Sequence, residues 1–396
     1  MHHDYYIAAY GAKPDGTTVN TAAIQQAIDA CSAAGGGRVV CGPGTWISGC
    51  LDLRSHVELH LMPGCRLSGS PSLDDYEPMS AAGFHAESAP ERSAHSLLRA
   101  VDAENVAITG PGMLDGAGLA FYDQEAVRAG QGKLDKPDTP RPRLGMFYHC
   151  RGLRIQDCEW VDSACWTLWL MQCDGVQVDR ITVRGNRRMR NVDGIDVDAC
   201  SNVTISNCLF DTEDDCLAVR SMRRLYDAPA VCQSITVTNC VLKSGCQGVR
   251  VGCPGDGVIR NCTFSNLVID SANNGIVFDN PQRYLPRDGI CSADVSNIVF
   301  TGVVIHCRRR PVAVTVEEGI GLRRLAELTF SDMRIRSGAA CVVQGSQETT
   351  IRNVSFRDID LTVESGDALT LRHCEGIQLS GVNVSCSAEN GAGFRG

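Results

Sequence analysis

The chain has 396 residues, is 43% hydrophobic and carries a formal net charge of −9. This balance is typical of a folded protein, and the negative charge argues against nucleic acid or an anionic membrane as a partner. It also argues weakly against a polyanionic substrate, although a local basic cleft could override the total charge. No run of 18 apolar residues is present, so no membrane-spanning helix is predicted.

The first predicted element is an amphipathic α-helix over residues 21–33. Its apolar face is formed by residues at helical spacing: Ile24, Ala27, Ile28 and Cys31. Asn20 or Thr21 is available to cap its start, and three glycines at 35–37 end it. We expect this helix, within an N-terminal segment of about residues 1–35, to cover the first turn of the fold because the ends of solenoids require capping.

From about residue 150 onward the chain repeats one pattern of alternating aliphatic residues, a polar corner and a second short strand. The repeats begin at Leu153, Val176, Val203, Ile235, Val258, Ile298, Leu328, Val354 and Ile377. Intervals of 23 to 40 residues, with the variation in the loops, are typical of a solenoid. Because no helical segment separates the strands, the pattern predicts an all-β parallel β-helix, which we expect to form a single domain over residues 1–396.

Two segments interrupt the repeats, at about residues 71–96 and 117–143. Both are rich in Pro, Gly, Ser, Arg and Asp and have little periodicity. Long loops of this kind usually carry function. We expect them to wall one end of a cleft.

The chain contains 21 cysteines, an odd number, and has no C-x-x-C pair, which argues against a disulfide scaffold and against a zinc site. Several of them follow an asparagine at the same corner of the repeat, as Cys208, Cys240 and Cys262 do. Reduced cysteine is a small apolar residue that suits a stacked core. Since no signal-like segment precedes Tyr5, we expect core thiols in a reducing cytoplasm, although a leader removed earlier would leave the same sequence.

Acidic residues cluster in two neighbouring repeats. Residues 191–196 read N-V-D-G-I-D, and residues 213–216 read E-D-D-C about one turn later. We expect Asp193, Asp214 and Asp215 to converge on one patch of surface. Paired carboxylates are what hydrolysis of a glycosidic bond needs, one to protonate the leaving oxygen and one to activate water. Two alternatives remain open: the acids bond only the backbone at corners, or they bind calcium together with the nearby aspartates, Asp196 and Asp198.

Alternation within the later strands places one set of side chains on an outward face. At steps of 24 to 30 residues these are Trp169, Asp196, Arg220, Arg250 and Val277, with Asp279 two residues further on. The spacing predicts a sugar-binding groove with an aromatic floor and charged walls. Trp169 could instead serve only in packing, and the two arginines could be structural partners of the aspartates.

At these residues the chain resembles glycoside hydrolase family 28, the polygalacturonase-like inverting enzymes on a right-handed parallel β-helix. The similarity runs from Y-G-A-K-P-D-G at 10–16 to the last repeats, and N-x-D-G-I-D followed by D-D-C is its most specific part. The resemblance implies that Asp214 is the general acid and that Asp193 and Asp215 deprotonate the attacking water. Two adjacent like charges should hold one acid protonated, and inversion needs about 6.5–9.5 Å between the acid and base oxygens.

The chain departs from this family at two motifs. The family's Gly-His-Gly is Cys246-Gln247-Gly248, so the histidine that helps tune the acid is an amide that can donate a hydrogen bond but cannot titrate. The family's Arg-Ile-Lys, which binds the galacturonate carboxylate in polygalacturonases, reads Val277-Phe278-Asp279. A carboxylate there would repel a uronic acid, and Arg250 or Arg220 is a candidate replacement cation.

The sequence therefore predicts a cytoplasmic, inverting and exo-acting glycosidase rather than a typical polygalacturonase. The expected substrates are pectin-like oligosaccharides derived from plant polysaccharide, with a neutral or deoxy sugar at the cleaved end. No metal or other cofactor is expected, and no nucleic acid or membrane partner, while the oligomeric state is left open. The alternatives are a calcium-dependent polysaccharide lyase or epimerase and a non-catalytic carbohydrate-binding β-helix.

Overall fold

The computed structural model describes residues 4–284, 291–364 and 367–386. They fall into two compact units, one formed by Met1–Asp196 and Asn202–Glu213 and the other by Val197–Ser201 and Asp214–Gly396. Whether the chain behaves as a single domain stays a prediction. No helix among these residues is long and apolar enough to cross a membrane.

The predicted N-terminal helix, α1, spans Thr21–Ala33 and buries the predicted apolar residues. The expected side-chain cap is wrong, because the Asn20 side chain bonds no helix amide. Its Oδ1 instead accepts from the Lys13 amide at 2.7 Å, and Thr21 Oγ1 accepts from the Gly49 amide at 2.7 Å. Both polar groups therefore tie the start of the helix to neighbouring loops, and the capping of a first turn by α1 stays a prediction.

The first unit is built from short strands joined in parallel, as in the pairing of residues 37–41 with 57–61. The strands up to residue 148 are β1 Asp4–Tyr6, β2 Asp15–Val19, β3 Gly37–Cys41, β4 Gly44–Ser48, β5 Leu51–Asp52, β6 Val57–Leu61, β7 Cys65–Gly69, β8 Ser96–Val101, β9 Ala107–Thr109, β10 Met113–Asp115 and β11 Arg143–Tyr148. They are followed by β12 Arg154–Gln156, β13 Glu159–Val161, β14 Leu168–Met171, β15 Asp174–Asp179, β16 Thr182–Arg184, β17 Ile195–Asp198, β18 Ser201–Ser206 and β19 Leu209–Thr212. Strands β17 and β18 each span the point where the chain passes between units.

The second unit alternates long and short parallel strands. Its strands are β20 Leu217–Arg220, β21 Val231–Ser244, β22 Gln247–Gly252, β23 Val258–Ser271, β24 Asn274–Asp279, β25 Asp294–Cys307, β26 Val312–Thr315, β27 Arg324–Ser337, β28 Cys341–Gln344, β29 Ile351–Val363, β30 Leu369–Arg372, β31 Cys374–Glu375 and β32 Gln378–Cys386. The register of the long strands aligns Ile235, Cys262, Ile298, Leu328 and Val354. The repeat starts that were read at Ile235, Ile298, Leu328 and Val354 therefore lie in one ladder. The start that was read at Val258 is wrong by four residues, because Val258 pairs with Val231 and Asp294 while Cys262 takes the aligned position.

The two insertions contain little regular structure, as expected. Short 3₁₀ turns lie at Leu73–Asp75, Ala86–Ser88, Pro90–Arg92 and Gly118–Phe121, and the second insertion also holds a five-residue helix, α2, at Gln124–Arg128. Asp123 caps α2 by accepting a hydrogen bond from the Glu125 amide. Further 3₁₀ turns lie at Ile7–Tyr10, Arg223–Leu225 and Gln282–Tyr284.

Cysteine is a core residue here, as predicted. All 21 cysteines are free thiols, and all but Cys50, Cys246, Cys374 and Cys386 are buried. Cys262 illustrates the reason, since it occupies a ladder position between Ile235 and Ile298. A thiol therefore fills the space of an aliphatic side chain.

A column of phenylalanine rings runs through the second unit. Phe264, Phe300, Phe330 and Phe356 stack with centroid separations of 4.3, 5.6 and 5.1 Å. All four are buried. The parallel register places equivalent side chains above one another, so each ring packs on the ring of the next turn.

Phe300 has a ring on each side in this column, so its truncation should leave a cavity between Phe264 and Phe330. We expect Phe300→Ala to lower the free energy of unfolding by about 3–5 kcal/mol, measured by urea denaturation. Val304→Ala, at a half-exposed position of the same strand, is the matched control and should change it by less than about 0.5 kcal/mol. Equal losses in the two variants would contradict the ring column as a source of stability.

Candidate active site

The adjacent acids Asp214 and Asp215 lie in the turn before β20. The Asp214 side chain is half-buried, and Asp215 is only 1% exposed. The Asp215 amide donates to Asp214 Oδ1 at 3.0 Å, and Ser244 Oγ donates to the Asp214 carbonyl at 2.8 Å. The turn therefore holds one carboxylate that solvent reaches beside one that is enclosed.

Two arginines surround the enclosed acid. Asp215 Oδ2 lies 3.5 Å from Arg220 Nη2 and 3.6 Å from Arg250 Nη1. Arg220 also donates to the Cys253 carbonyl. Because both guanidiniums are largely withdrawn from water, they stabilise a negative charge on Asp215 more strongly than exposed arginines would.

Arg250 also holds Asp279 through two parallel hydrogen bonds. Nε donates to Oδ1 at 2.9 Å and Nη2 donates to Oδ2 at 2.7 Å. Burial acts to lower the pKa of Arg250, but the charges of Asp215 and Asp279 outweigh it and raise that pKa. Two acids and two arginines thus form one network of balanced charge. Both arginines are structural partners of aspartates, which is the alternative role that the sequence analysis gave them.

The network neutralises the charge of Asp279. Its carboxylate was expected to repel a uronic acid, but its charge is neutralised by Arg250. Arg250 is in turn not a free cation for a substrate carboxylate. Two residues earlier, Val277 is buried with Ala313 and Val342, so that position carries no charge.

The register of the short strands corrects one predicted alignment. Arg250 lies beside Val277, as predicted, but its neighbour on β20 is Ala218. Arg220 lies opposite Gly252 instead. A shift of two residues keeps every side chain on its face of the sheet, so alternation alone could not reveal it.

A chain of hydrogen bonds fixes the orientation of Gln247. The Arg310 backbone amide, which can only donate, binds Asn274 Oδ1 at 3.1 Å. Asn274 must therefore turn its Nδ2 towards Gln247, whose Oε1 accepts at 2.9 Å. The N–H groups of Gln247 are left to point elsewhere, so this residue presents donors at the position of the family's histidine.

Gln247 is also tied to the acidic turn. Its carbonyl accepts from the amide of Cys216, the residue after Asp215, at 3.1 Å. The side chain before it, Cys246, lies with Asp214 and Asp215 in a group whose ligand atoms are all within 4.8 Å of one another. A thiol suits zinc or another soft metal better than calcium, so this group does not favour the calcium alternative.

Asp198 is also a poor candidate ligand for calcium, for a different reason. Its carboxylate accepts from the Met222 amide at 3.0 Å and from the Tyr226 hydroxyl at 2.7 Å. Both oxygens therefore fix the loop after β20. This is the backbone-bonding role that acidic corners were expected to offer as an alternative.

In the first unit, Asp193 and Asp196 are 2% and 0% exposed, so the prediction that Asp196 lines an exposed groove is wrong. The segment that leads to Asp193 is held by Arg141, which is itself fully buried. Arg141 Nη1 donates to the Arg190 carbonyl at 2.7 Å, and Nη2 donates to Asn191 Oδ1 at 3.2 Å. The sequence analysis missed Arg141, because it lies in an insertion without periodicity.

The second insertion packs against the same segment. Its contact is an apolar cluster in which Tyr122, Leu134, Met189 and Val192 are buried. Lys133 of the insertion forms an ion pair with Glu213. Glu213 is therefore a neutralised partner of the insertion and not an additional free negative group before the acid pair.

The prediction of an exposed aromatic surface at Trp169 is wrong. The residue is 0% exposed. Phe84, from the first insertion, packs edge-on against its ring with centroids 6.1 Å apart, and the Arg143 guanidinium carbon lies 4.6 Å from the ring centre. The alternative of Trp169 as a packing residue fits this geometry, because strand alternation cannot show that a loop covers the outer face.

The comparisons with known proteins identify the family. A model of the family described as glycosyl hydrolases family 28 matches residues 70–392. The chain belongs to this family and is a glycosidase.

Its relatives include an endo-polygalacturonase of Pectobacterium carotovorum subsp. carotovorum, 22% identical, with 89% of this chain and 86% of the relative covered. An exo-poly-alpha-D-galacturonosidase of Dickeya chrysanthemi is 29% identical, with 89% and 71% covered. The structure is similar to that of an exopolygalacturonase from Thermotoga maritima, with a TM-score of 0.72, 20% identity, and 96% and 92% of the two chains covered. The fold is thus a right-handed parallel β-helix, as predicted.

The fixed orientation of Gln247 leads to a prediction about Asn274. In Asn274→Ala the amide of Gln247 loses its partner and can rotate, so we expect kcat/KM to fall about three- to tenfold, the effect of one hydrogen bond. Thermal unfolding should barely change. Asn383→Ala, which removes a similar bond to Asp360 on an exposed strand, is the control. Unchanged kinetics in Asn274→Ala would contradict a positioning role.

The Cys246 thiol gives a prediction about pH. Burial, then the charges of Asp215 and Asp214, raise its pKa above the ordinary value of 9.0. Because only the thiolate reacts, alkylation of Cys246 should be slow near pH 7 and should still be rising above about pH 9, where an ordinary thiol levels off. Mass spectrometry after iodoacetamide treatment, with half-buried Cys386 as reference, measures this. A plateau below pH 9 at Cys246 would contradict the acidic surroundings.

Proposed function

We propose that this glycosidase is an inverting, exo-acting enzyme that cleaves pectin-derived oligosaccharides beside a neutral or deoxy sugar. The observation that carries the proposal is the pair of ionic contacts that Arg250 makes with Asp215 and Asp279. Because Arg250 neutralises Asp279, the motif at 277–279 presents no unpaired side-chain charge beside the acid pair. The names of the relatives, which are polygalacturonases and an exo-galacturonosidase, support a pectic substrate.

In this mechanism Asp214 protonates the glycosidic oxygen, since it is the member of the pair that solvent and substrate reach. Asp215, stabilised as an anion by Arg220 and Arg250, acts with Asp193 to take the proton from water. Gln247 donates a hydrogen bond where a histidine would titrate. The role of Asp193 rests on the family resemblance, and Gln247 is assigned to substrate binding.

Exo action is supported by the second insertion. Tyr122 and Leu134 of this loop are fixed against the segment before Asp193, and Lys133 secures the loop at Glu213. A loop held at so many points would restrict a long polymer more than a short chain end. The free thiols favour a reducing compartment, so we also propose a cytoplasmic location.

A panel of pectic and hemicellulosic oligosaccharides should show which bond is cut. We expect release of a terminal sugar whose first anomer, followed by NMR, has the inverted configuration. Asp214→Asn should lower kcat by about 10²–10⁴-fold, the usual contribution of a general acid. Asp270→Asn, at an exposed position of β23, is the control and should leave kcat unchanged.

Three results would contradict the proposal. Retention at the anomeric carbon would exclude the inverting mechanism. An unsaturated product whose formation stops on addition of a chelator would indicate the calcium-dependent lyase alternative. Tight binding without turnover, unchanged in Asp214→Asn, would indicate a carbohydrate-binding protein.

A further inference from the structure

Three consecutive arginines, Arg308 to Arg310, form the turn between β25 and β26. All three side chains are exposed. Within residues 4–284, 291–364 and 367–386, no carboxylate oxygen lies within 4.0 Å of their guanidinium nitrogens. The chain has a formal net charge of −9, so this turn is a local concentration of positive charge in an acidic protein.

Backbone bonds link this turn to the acidic one. The Arg309 amide donates to the Asn273 carbonyl at 2.9 Å, and the Arg310 amide donates to the Asn274 side chain. The backbone amide of Asn274 donates to the Cys246 carbonyl at 3.3 Å. On the next turn, the Gln247 carbonyl accepts from the Cys216 amide. The arginine turn is therefore three turns away from Asp214, a distance of about 14 Å at the strand spacing of a parallel sheet.

The same edge carries little opposing charge between the two turns. The intervening side chains are amides and a thiol: Cys246, Gln247, Asn273 and Asn274. Beyond the arginines, Glu364 lies two turns further on and forms no ion pair with them in the described part of the chain. An elongated ligand could therefore lie along this edge with its anionic part at the arginines.

We propose that Arg308, Arg309 and Arg310 form a subsite for the carboxylates of uronic acid residues in the substrate. This inference rests on the proposed function, because it extends the same site. Guanidinium groups bind carboxylates through paired hydrogen bonds. Arg250 is already engaged by Asp215 and Asp279, whereas the three arginines are exposed cations further along the same edge.

The proposed substrate class combines the neutralised Asp279 with the exposed arginine turn. It is an oligosaccharide with a neutral or deoxy sugar at the cleaved bond and uronic acid residues further along the chain. A solvated arginine turn without a ligand is the alternative. The two differ in whether substrate affinity depends on the carboxylates and on salt.

The test compares an oligosaccharide of alternating uronic and neutral sugars with its carboxyl-reduced counterpart of equal length. Calorimetry with Asp214→Asn gives binding, and KM of the unmodified enzyme gives a second readout. We expect Arg309→Ala and Arg310→Ala each to weaken binding of the acidic form by about two- to fivefold, the range for an exposed ion pair. Binding of the reduced form should not change, and the difference should shrink as salt is raised.

Arg334→Ala and Arg336→Ala are matched controls, since both residues are exposed arginines on β27 of the same unit. An equal loss in these variants would show a general charge effect and overturn the subsite. Equal affinity for the acidic and reduced sugars would overturn it as well, as would equally tight binding of an oligonucleotide of the same charge. Failure of the proposed function has a different signature, because no sugar in the panel would then be hydrolysed whatever its affinity.

Discussion

The ion pair between Arg250 and Asp279 is the interaction on which the chemistry of this site depends. Arg250 is a side chain largely withdrawn from water, and such a charge is retained only where partners satisfy it. Asp279 occupies two of its N–H groups, and Asp215 lies beside a third nitrogen. Removal of either acid would leave a poorly compensated charge next to the remaining one. The departure from the family at Asp279 is thus coupled to the acid pair and is not an isolated change at one subsite.

The parallel ladder explains how so few residues achieve this arrangement. Because equivalent positions on successive turns lie side by side, one backbone register fixes the neighbours of every side chain along the edge. The acidic turn, Gln247, Asn274 and the arginine turn are joined by backbone amides rather than by flexible side chains alone. Such anchoring reduces the freedom of polar groups before a ligand binds, which is what preorganised sites require. The phenylalanine column packs the long strands of the same unit on one another.

Local patterns predicted much of the fold. The helix at 21–33 and the burial of the cysteines follow from short-range periodicity and composition, and both are confirmed. Alternation also predicted the faces of β22 and β24, but it failed at Arg220, where the loop length sets a two-residue shift that alternation cannot detect. The exposure of Trp169 was predicted wrongly, and Arg141 was missed, for a related reason. Phe84 of the first insertion covers Trp169, and Arg141 of the second insertion bonds Arg190 and Asn191; these contacts join residues distant in sequence and are not decided by local propensity.

These limits bear on how a substrate is inferred from a divergent member of a family. A lost motif shows what a position no longer binds, but the new partner of each residue shows what the position does instead. Asp279 alone would suggest repulsion of acidic sugars from the whole site, whereas its pairing with Arg250 confines the loss to one neutral position. Charge recognition can then persist elsewhere on the same edge, where the arginines at 308–310 are exposed. A protein of net negative charge can still bind an acidic sugar in this way, since screening in salt limits the influence of the total charge to short distances.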